Sequence, residues 1–324
     1  MKQQVPIARV LFRLPGVVQT EAFITGEGDD AFTVAPFLRA DETIELKGSI
    51  VSAGETILQH FFEHCALQKA ETGLSVSNAD YIELVNRAKE RIKSGSFDKV
   101  VLAGTQWMET NCEPAKLFRM LLNHNPHAFV YALCLDGKLM MGASPETLLQ
   151  RTGNQLVTEA LGGTKTHGVY SEKEWTEHRQ IQDYISMILE TCAYGFSMGE
   201  TYSRKAGRVE HLCTHFQIAQ RTLQSDLALA KALHPTSAIC GLPYQPALNF
   251  IELSEGFSRG YYSGYLGPVR ASGDFHYFVN LRCAEYYSNG VRLFAGAGIN
   301  AMSVPEDEWE EIIIKMQTIA QWLK

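Results

Sequence analysis

Two pairs of carboxylates are spaced so that each pair shares one face of a helix. Near the C-terminus, Glu308, Glu311 and Lys315 stand at i, i+3 and i+7. A solvated face with an i, i+4 pair between Glu311 and Lys315 would be the plain structural explanation. Yet Trp309, Ile312, Ile313, Ile314 and Met316 leave little of this helix for water. In EKEWTEH, Glu174 and Glu177 repeat the i, i+3 spacing. Carboxylates from two helices suit a hard, oxygen-preferring cation such as Mg²⁺, and such an ion can grip a substrate carboxylate.

Two further groups could move protons. Lys99 lies in an apolar strand beside Val100 and Val101. It is either a strand-edge lysine or a buried amine turned toward its uncharged, basic form by desolvation. Gly142-Ala143-Ser144-Pro145-Glu146 ends a strand in a tight turn. That is either a turn and nothing more, or a carboxyl group held at the mouth of a sheet to act as an acid. Other patterns carry less. His60-Phe61-Phe62-Glu63-His64 has the spacing of an inverted zinc-protease motif, but its phenylalanines read as core and no third ligand follows. His211, Cys213 and His215 share one face of a strand, where a substrate-lining histidine is a better reading than a metal. Gly296-Ala297-Gly298 lacks the third glycine of a dinucleotide fingerprint.

The elements that must position these groups come in clusters. Strands are expected at ARVLFRL, EAFITG and AFTVAPF, with GEGDD as a turn between the last two. Helices are expected over 55–70, from Asn78 to a stop at Gly95, from Pro114, over 173–194, over 223–233 and over 305–323. Further strands fall at 98–103, on either side of an Asp136-Gly137 hairpin, and at 155–159, 208–213, 262–266, 275–283 and 291–296. Strands in groups with helices between them imply an α+β class with mainly antiparallel sheet. Residues 1–324 read as a single large domain, with 1–77 a short N-terminal sheet region and 78–324 carrying the motifs.

Composition narrows the partners. The 324 residues are 45% hydrophobic with a net charge of −7, and no basic stripe suggests nucleic acid or an anionic membrane. Seven cysteines without a C-x-x-C pair read as reduced, mostly buried thiols. No run approaches a membrane span and no cleavable leader is evident, so a cytoplasmic location is expected.

The segments FDKVVLA, GASPE, TEALGGT, EKEWTEH, HLCT, LHPTSAICGLP, EGFSRGYYSGYLG, LRCAE, FAGAGI and EDEWEEIIIK follow one another in an order that resembles the chorismate-utilising enzymes. That family includes isochorismate, salicylate, anthranilate and aminodeoxychorismate synthases. The likeness runs from about Asn78 to the end. It implies a layered sandwich of mainly antiparallel sheets with outer helices. LHPTSAICG is similar to the isochorismate synthase branch: ammonia-using relatives typically carry Thr where Ala238 stands, so the resemblance implies water as nucleophile.

Carried over residue by residue, Lys99 matches the general base that activates water for attack at C2 of chorismate. Glu146 matches the general acid for the departing C4 hydroxyl. Glu177 and Glu311 match direct Mg²⁺ ligands, with Glu174 and Glu308 as supporting carboxylates. Arg282 and Lys315 resemble cations for the substrate carboxylates. Gly163 and Gly296 resemble close-approach positions, His211 and Thr214 resemble pocket lining, and Thr164 and Ala238 are implied as further substrate-binding residues. The implied reaction feeds menaquinone or a catechol siderophore, in a monomer or weak homodimer. A salicylate synthase, an ammonia-using synthase component and a non-catalytic chorismate-binding protein are the alternatives. Departures from the pattern are Gly104, where the family often has Arg, Ser237, where a second Pro is usual, and a short N-terminal region without a clear inhibitor-binding segment.

Overall fold

The apolar runs fold as strands buried on both faces, which forces a layered arrangement. The computed structural model describes residues 7–38, 42–70, 75–135, 137–165, 167–192, 194–206, 209–219 and 225–324. In chain order the elements are β1 (Ala8–Arg13), β2 (Glu21–Ala35), β3 (Ile44–Ser52), α1 (Glu55–His64), α2 (Asn78–Lys93), β4 (Lys99–Met108), α3 (Pro114–His124), β5 (Phe129–Leu135), β6 (Lys138–Ser144), β7 (Thr147–Thr152) and β8 (Gln155–Lys165). There follow α4 (Glu172–Thr191), β9 (Gly195–Met198), β10 (Tyr202–Ala206), β11 (Val209–Ala219), α5 (Asp226–Leu233), β12 (Gly241–Leu242), α6 (Tyr244–Ser254), β13 (Tyr265–Val269), β14 (Phe275–Val279), β15 (Cys283–Tyr287), β16 (Gly290–Ile299) and α7 (Pro305–Ala320).

Side chains alternate across a strand, and β1 shows the consequence. Val10 and Phe12 enter a central cluster with Phe23, Phe129, Tyr131, Phe278 and Phe294, to which no helix contributes. Leu11, on the other face, joins Phe61, Tyr81, Phe118 and Ile312 from the helices. A third cluster packs Leu149, Leu156 and Phe216 under Ile181, Ile185 and Leu189 of α4. Sheet therefore lies on sheet in the middle and helices cover both outsides, as expected for the α+β sandwich. The two sheet layers are parts of one hydrogen-bonded path, β10-β11-β8-β7-β14-β13-β2-β1-β5-β6-β15-β16-β4-β12, with β3 on β2 and β9 on β11. Phe129 and Phe278, from strands far apart on that path, stack at 4.2 Å and 2°.

Several expected boundaries move. GEGDD is not a turn between strands. It bulges out of one long β2, so that Thr25 and Asp30 both face Gly48 of β3, and Gly26 and Gly28 adopt positive φ there. The helix expected to reach residue 70 ends at His64. Ser77, not Asn78, caps α2 by accepting from the Asp80 N–H. The single strand expected at 275–283 is broken between β14 and β15, and the strand expected at 262–266 begins three residues later. Residues 136, 193, 208, 223 and 224 of the expected hairpin, helices and strand lie outside the described residues. The seven cysteines are free, and among the described residues no helix is long and apolar enough to cross a membrane.

β4 needs support because its neighbour β12 covers only Lys99 and Val100. Beyond that pair a buried ion pair takes over the strand edge. Glu255 accepts from the Ala103 N–H at 2.8 Å, and Arg259 donates to the Val101 carbonyl at 2.7 Å and the Ile239 carbonyl at 2.9 Å. Arg259 Nε also binds Glu255 at 2.8 Å. Removing one member strands the other charge, so Glu255→Ala should cost about 3–5 kcal/mol of stability. Chemical denaturation measures this. A loss below about 1 kcal/mol would mean the pair does not hold the edge.

Candidate active site

Lys99 opens β4 with its side chain 1% exposed. Its Nζ donates to Glu177 Oε1 at 2.9 Å. Space for this pair comes from β16: a Cβ at Gly298 would lie 2.6 Å from Glu177 Oε1 and 3.1 Å from Lys99 Cε. Glu177 stands on the second turn of α4, whose start is fixed by a capping box. In that box Glu174 Oε2 accepts from the Ser171 N–H at 2.7 Å and Oγ at 2.6 Å. The Glu174 carboxylate thus serves the helix end. Burial alone would raise the Glu177 carboxyl, but Lys99, Lys315 and Lys173 outweigh it and hold the group below its ordinary range.

The α7 carboxylates are paired in the same manner. Glu308, buried, accepts from Lys173 Nζ at 2.6 Å. Glu311 meets Lys315 Nζ at 2.6 Å, and Lys315 also donates to the Gly296 carbonyl at 2.8 Å. Burial and then Glu311 raise the Glu308 carboxyl. Burial would depress the Lys173 ammonium, yet Glu308, Glu311 and Glu177 together raise it. A single ammonium therefore sits in the field of three carboxylates from two helices. Oxygen donors without sulfur or imidazole fit a hard divalent ion, with Glu177, Glu311 and Glu308 as the residues to hold it. These oxygens are not gathered within 4.8 Å of one another in this arrangement. Lys173 was not singled out in the sequence.

Glu146 is placed by the GASPE turn between β6 and β7. Ser144 Oγ donates to the Val279 carbonyl at 2.5 Å, and the Glu146 carbonyl accepts from the Val279 N–H at 3.0 Å. A second device brackets the residue. Arg204 of β10 binds Glu159 of β8 through two 2.8 Å hydrogen bonds. Arg204 also donates to the Pro145 carbonyl at 3.2 Å, while Glu159 accepts from the Thr147 N–H at 3.4 Å. The pair thereby grips the chain on both sides of Glu146. Burial, and secondarily the Glu159 charge, push the Glu146 carboxyl up to about 8 against the pull of Arg204, Lys99 and Lys315. It is a protonated acid at neutral pH.

Glu146, Glu177, His211, Ala238, Arg282, Gly296 and Lys315 line one cavity of about 590 Å³, part of it open to solvent. Tyr262, which sequence reasoning passed over, lines it too, its ring stacked on Phe294 at 5.2 Å. Lys99 is not in the wall: its partner Glu177 is. Arg282 occupies the break between β14 and β15 at φ 50, a strained backbone for a side-chain-bearing residue. The strain is held by the Ala143 N–H, which donates to the Arg282 carbonyl at 3.1 Å, and by Asn280, which receives the Tyr131 hydroxyl at 2.5 Å. Burial lowers the Arg282 guanidinium to about 10. Its hydrogen bonds go to Thr318 Oγ1 at 3.3 Å and His211 Nε2 at 3.2 Å. Burial and then Arg282 drive His211 well below its ordinary range. The neutral ring accepts from Arg282, and its Nδ1–H donates to Thr164 Oγ1 at 3.1 Å.

Two expected pocket residues look elsewhere. Thr214 is buried with its hydroxyl at 2.8 Å from His178 Nε2 and 2.9 Å from Gln182 Nε2 of α4, so it joins helix to sheet. Gly163 has φ 68, and a Cβ there would lie 2.5 Å from the Glu174 carbonyl. Its glycine admits α4 rather than a ligand. As for the metal-like patterns, His60, Glu63 and His64 group at the end of α1, away from this cavity's lining. Glu159, Cys213 and His215 also group, but Arg204 already takes both Glu159 oxygens.

The family model described as chorismate binding enzyme matches residues 18–324. The chain belongs to that family. Isochorismate synthase DhbC of Bacillus subtilis (strain 168) is 32% identical over 266 residues, 74% of this chain and 66% of the relative. The vibriobactin-specific isochorismate synthase of Vibrio cholerae is 31% identical over 275 residues, 79% of this chain and 69% of the relative. The chain thus spans about two thirds of the length of these family members. The fold is that of DhbC from Bacillus anthracis, with a TM-score of 0.82 at 24% identity over 99% of this chain and 97% of that one. The Escherichia coli menaquinone-specific isochorismate synthase MenF gives 0.79 at 21%, over 99% and 90%.

The buried proton on Glu146 has a thermodynamic signature. The folded carboxyl titrates near 8 and an ordinary one near 4.5. Between those values the folded chain binds the extra proton, so stability falls as pH rises. Glu146→Gln should show no pH-dependent gain below that window. Within it the variant should gain on the wild type by up to about 1.4 kcal/mol per pH unit. Denaturation midpoints across the window test this, and a gap that stays constant with pH would show that residue 146 buries no proton.

Proposed function

We propose that this chain is an isochorismate synthase that exchanges the C4 hydroxyl of chorismate for a hydroxyl at C2. The observation that carries the proposal is the buried carboxyl of Glu146, bracketed by Arg204 and Glu159 and pushed up toward its protonated form. It shares one cavity with two cations, Arg282 and Lys315, and with Glu177, the partner of the buried Lys99. Few reactions ask for this set. A dianionic ring needs cations, a departing hydroxyl needs an acid poised near neutrality, and an attacking water needs a base.

Lys99 takes a proton from water as the oxygen bonds to C2. The conjugated double bonds shift along the ring, and Glu146 gives its proton to the C4 oxygen, which leaves as water. One water enters and one departs, and no oxidant or reductant is required. Lys99 ends as ammonium and Glu146 as carboxylate, and exchange with solvent resets both. Glu177 occupies Lys99 Nζ in this arrangement, so Lys99 acts as base when Glu177 is engaged elsewhere. Arg282, steered by His211 and Thr318, offers its fork to a substrate carboxylate. Ala238 presents a methyl group to the cavity, with no hydroxyl to orient ammonia. Mg²⁺, when held by Glu177, Glu311 and Glu308, supplies the positive charge that grips the ring carboxylate.

Incubation of the protein with chorismate and Mg²⁺, followed by chromatography of the products, should give isochorismate without pyruvate. EDTA should stop the reaction, and Lys99→Ala should lower kcat by at least about 10²-fold while chorismate still binds. Salicylate together with pyruvate would assign the chain to the salicylate synthases instead. Tight binding of chorismate by the wild type without turnover would make it a binding protein.

A further inference from the structure

A second cavity, of about 710 Å³, lies behind Pro145 and Arg282, and both residues line the two spaces. Its ionisable lining consists of His124, His127, Arg204, Lys205 and Arg282, and among the described lining residues there is no carboxylate. In a chain of net charge −7 that is a local reversal of sign. The charge on Arg204 is neutralised by Glu159. Lys205 is exposed. It faces Glu210 across the β10–β11 pair, but Glu210 is already held by Lys165 at 3.1 Å. Arg282 spans the wall itself. One nitrogen meets Thr318, which lines only the second cavity, and the other meets His211, which lines only the first.

We infer that the second cavity is an anion-capture site for a small organic dicarboxylate, and that it delivers the substrate to the first cavity by way of Arg282. This inference rests on the function proposed above. A concave surface of one charge sign focuses the field and raises association rates for the opposite charge. A dianion drawn in by Lys205 would next meet the buried Arg282 guanidinium, whose hydrogen bonds among the described residues go to Thr318 and His211 and to no carboxylate. The chemistry step is untouched by such a device, because Lys205 lies outside the catalytic cavity.

Lys205→Glu in the full chain, with Lys205→Gln as a milder companion, tests the idea through steady-state kinetics on chorismate at rising NaCl. We expect kcat to hold and kcat/KM at low salt to fall about tenfold for the Glu variant. The gap should close as salt screens the charge, with the Gln variant intermediate. Malonate should compete with chorismate more strongly in the wild type than in Lys205→Glu, and sulfate at matched ionic strength should compete less than malonate. A kcat/KM with the wild-type value and salt slope would overturn the inference, as would a parallel fall in kcat. Equal competition by sulfate would overturn the dicarboxylate assignment. A fully active wild type with an indifferent Lys205→Glu removes this inference alone. A wild type that neither binds nor converts chorismate removes the proposed function as well.

Discussion

Burial of charge without water is the constraint from which the site follows. Every ionised carboxylate brought in from α4 and α7 must have a cation beside it. Glu177 has Lys99, Glu308 has Lys173 and Glu311 has Lys315. Two groups escape this pairing. Glu146 avoids the cost by keeping its proton, and Arg282 remains a buried cation with only neutral hydrogen-bond partners. These exceptions mark where a substrate's own charge and chemistry belong. An acid with a proton to give and a guanidinium lacking a counter-ion describe a site whose charge is completed by an anionic ligand.

The sheet supplies the rigidity that such placement demands. Lys99 lies where β4 has β16 on one side and only a two-residue strand on the other, and the Glu255–Arg259 pair closes the remaining edge. Arg282 sits where the path through β14 and β15 is interrupted, so its orientation is set by the hydrogen bonds of Asn280 and Ala143 rather than by regular pairing. Glu146 is at a turn, but the turn is gripped from β8 and β10. Each of the three groups is thus anchored by contacts from a distant part of the chain, and none depends on a free loop.

What could be read from the sequence was what is local. The i, i+3 spacing of Glu308 with Glu311 and of Glu174 with Glu177 is visible without a structure, as are Lys99 in its apolar strand and Glu146 in its turn. What was hidden is non-local. Arg204 is 45 residues from the Glu159 it binds, and nothing in its neighbours announces that contact. Lys173 reads as a surface lysine until α7 is packed against it. The resemblance puts Thr214 in the pocket with His211, yet alternation along β11 sets the two on opposite faces, and α4 packs on the Thr214 side, where the hydroxyl meets His178 and Gln182. Glu174 shows the limit of spacing arguments. The same i, i+3 relation that suggests a metal ligand also satisfies a capping box, and here Ser171 decides for the cap. The break at 280–282 escaped notice because an apolar run without glycine or proline reads as continuous strand. The strain at Arg282 is imposed by tertiary contacts.

Gly104 links these observations. The family pattern often carries Arg here, and the departure put the packing around β4 in question. In this fold a Cβ at Gly104 would lie 2.7 Å from Ile312 Cδ1 and 3.6 Å from the Tyr81 ring. α7 therefore rests on β4 with no side chain between them, and Ile312 fills the place. Ile312 directly follows Glu311 and is three residues before Lys315, so the depth at which it seats sets how near those charges come to the cavity. A longer residue at 104 would have to pass between α2 and α7 or displace Ile312. The glycine is thus coupled to the isoleucine, and a substitution toward the family's arginine would act on the site through the height of α7 above the sheet, not through any contact with the reacting groups.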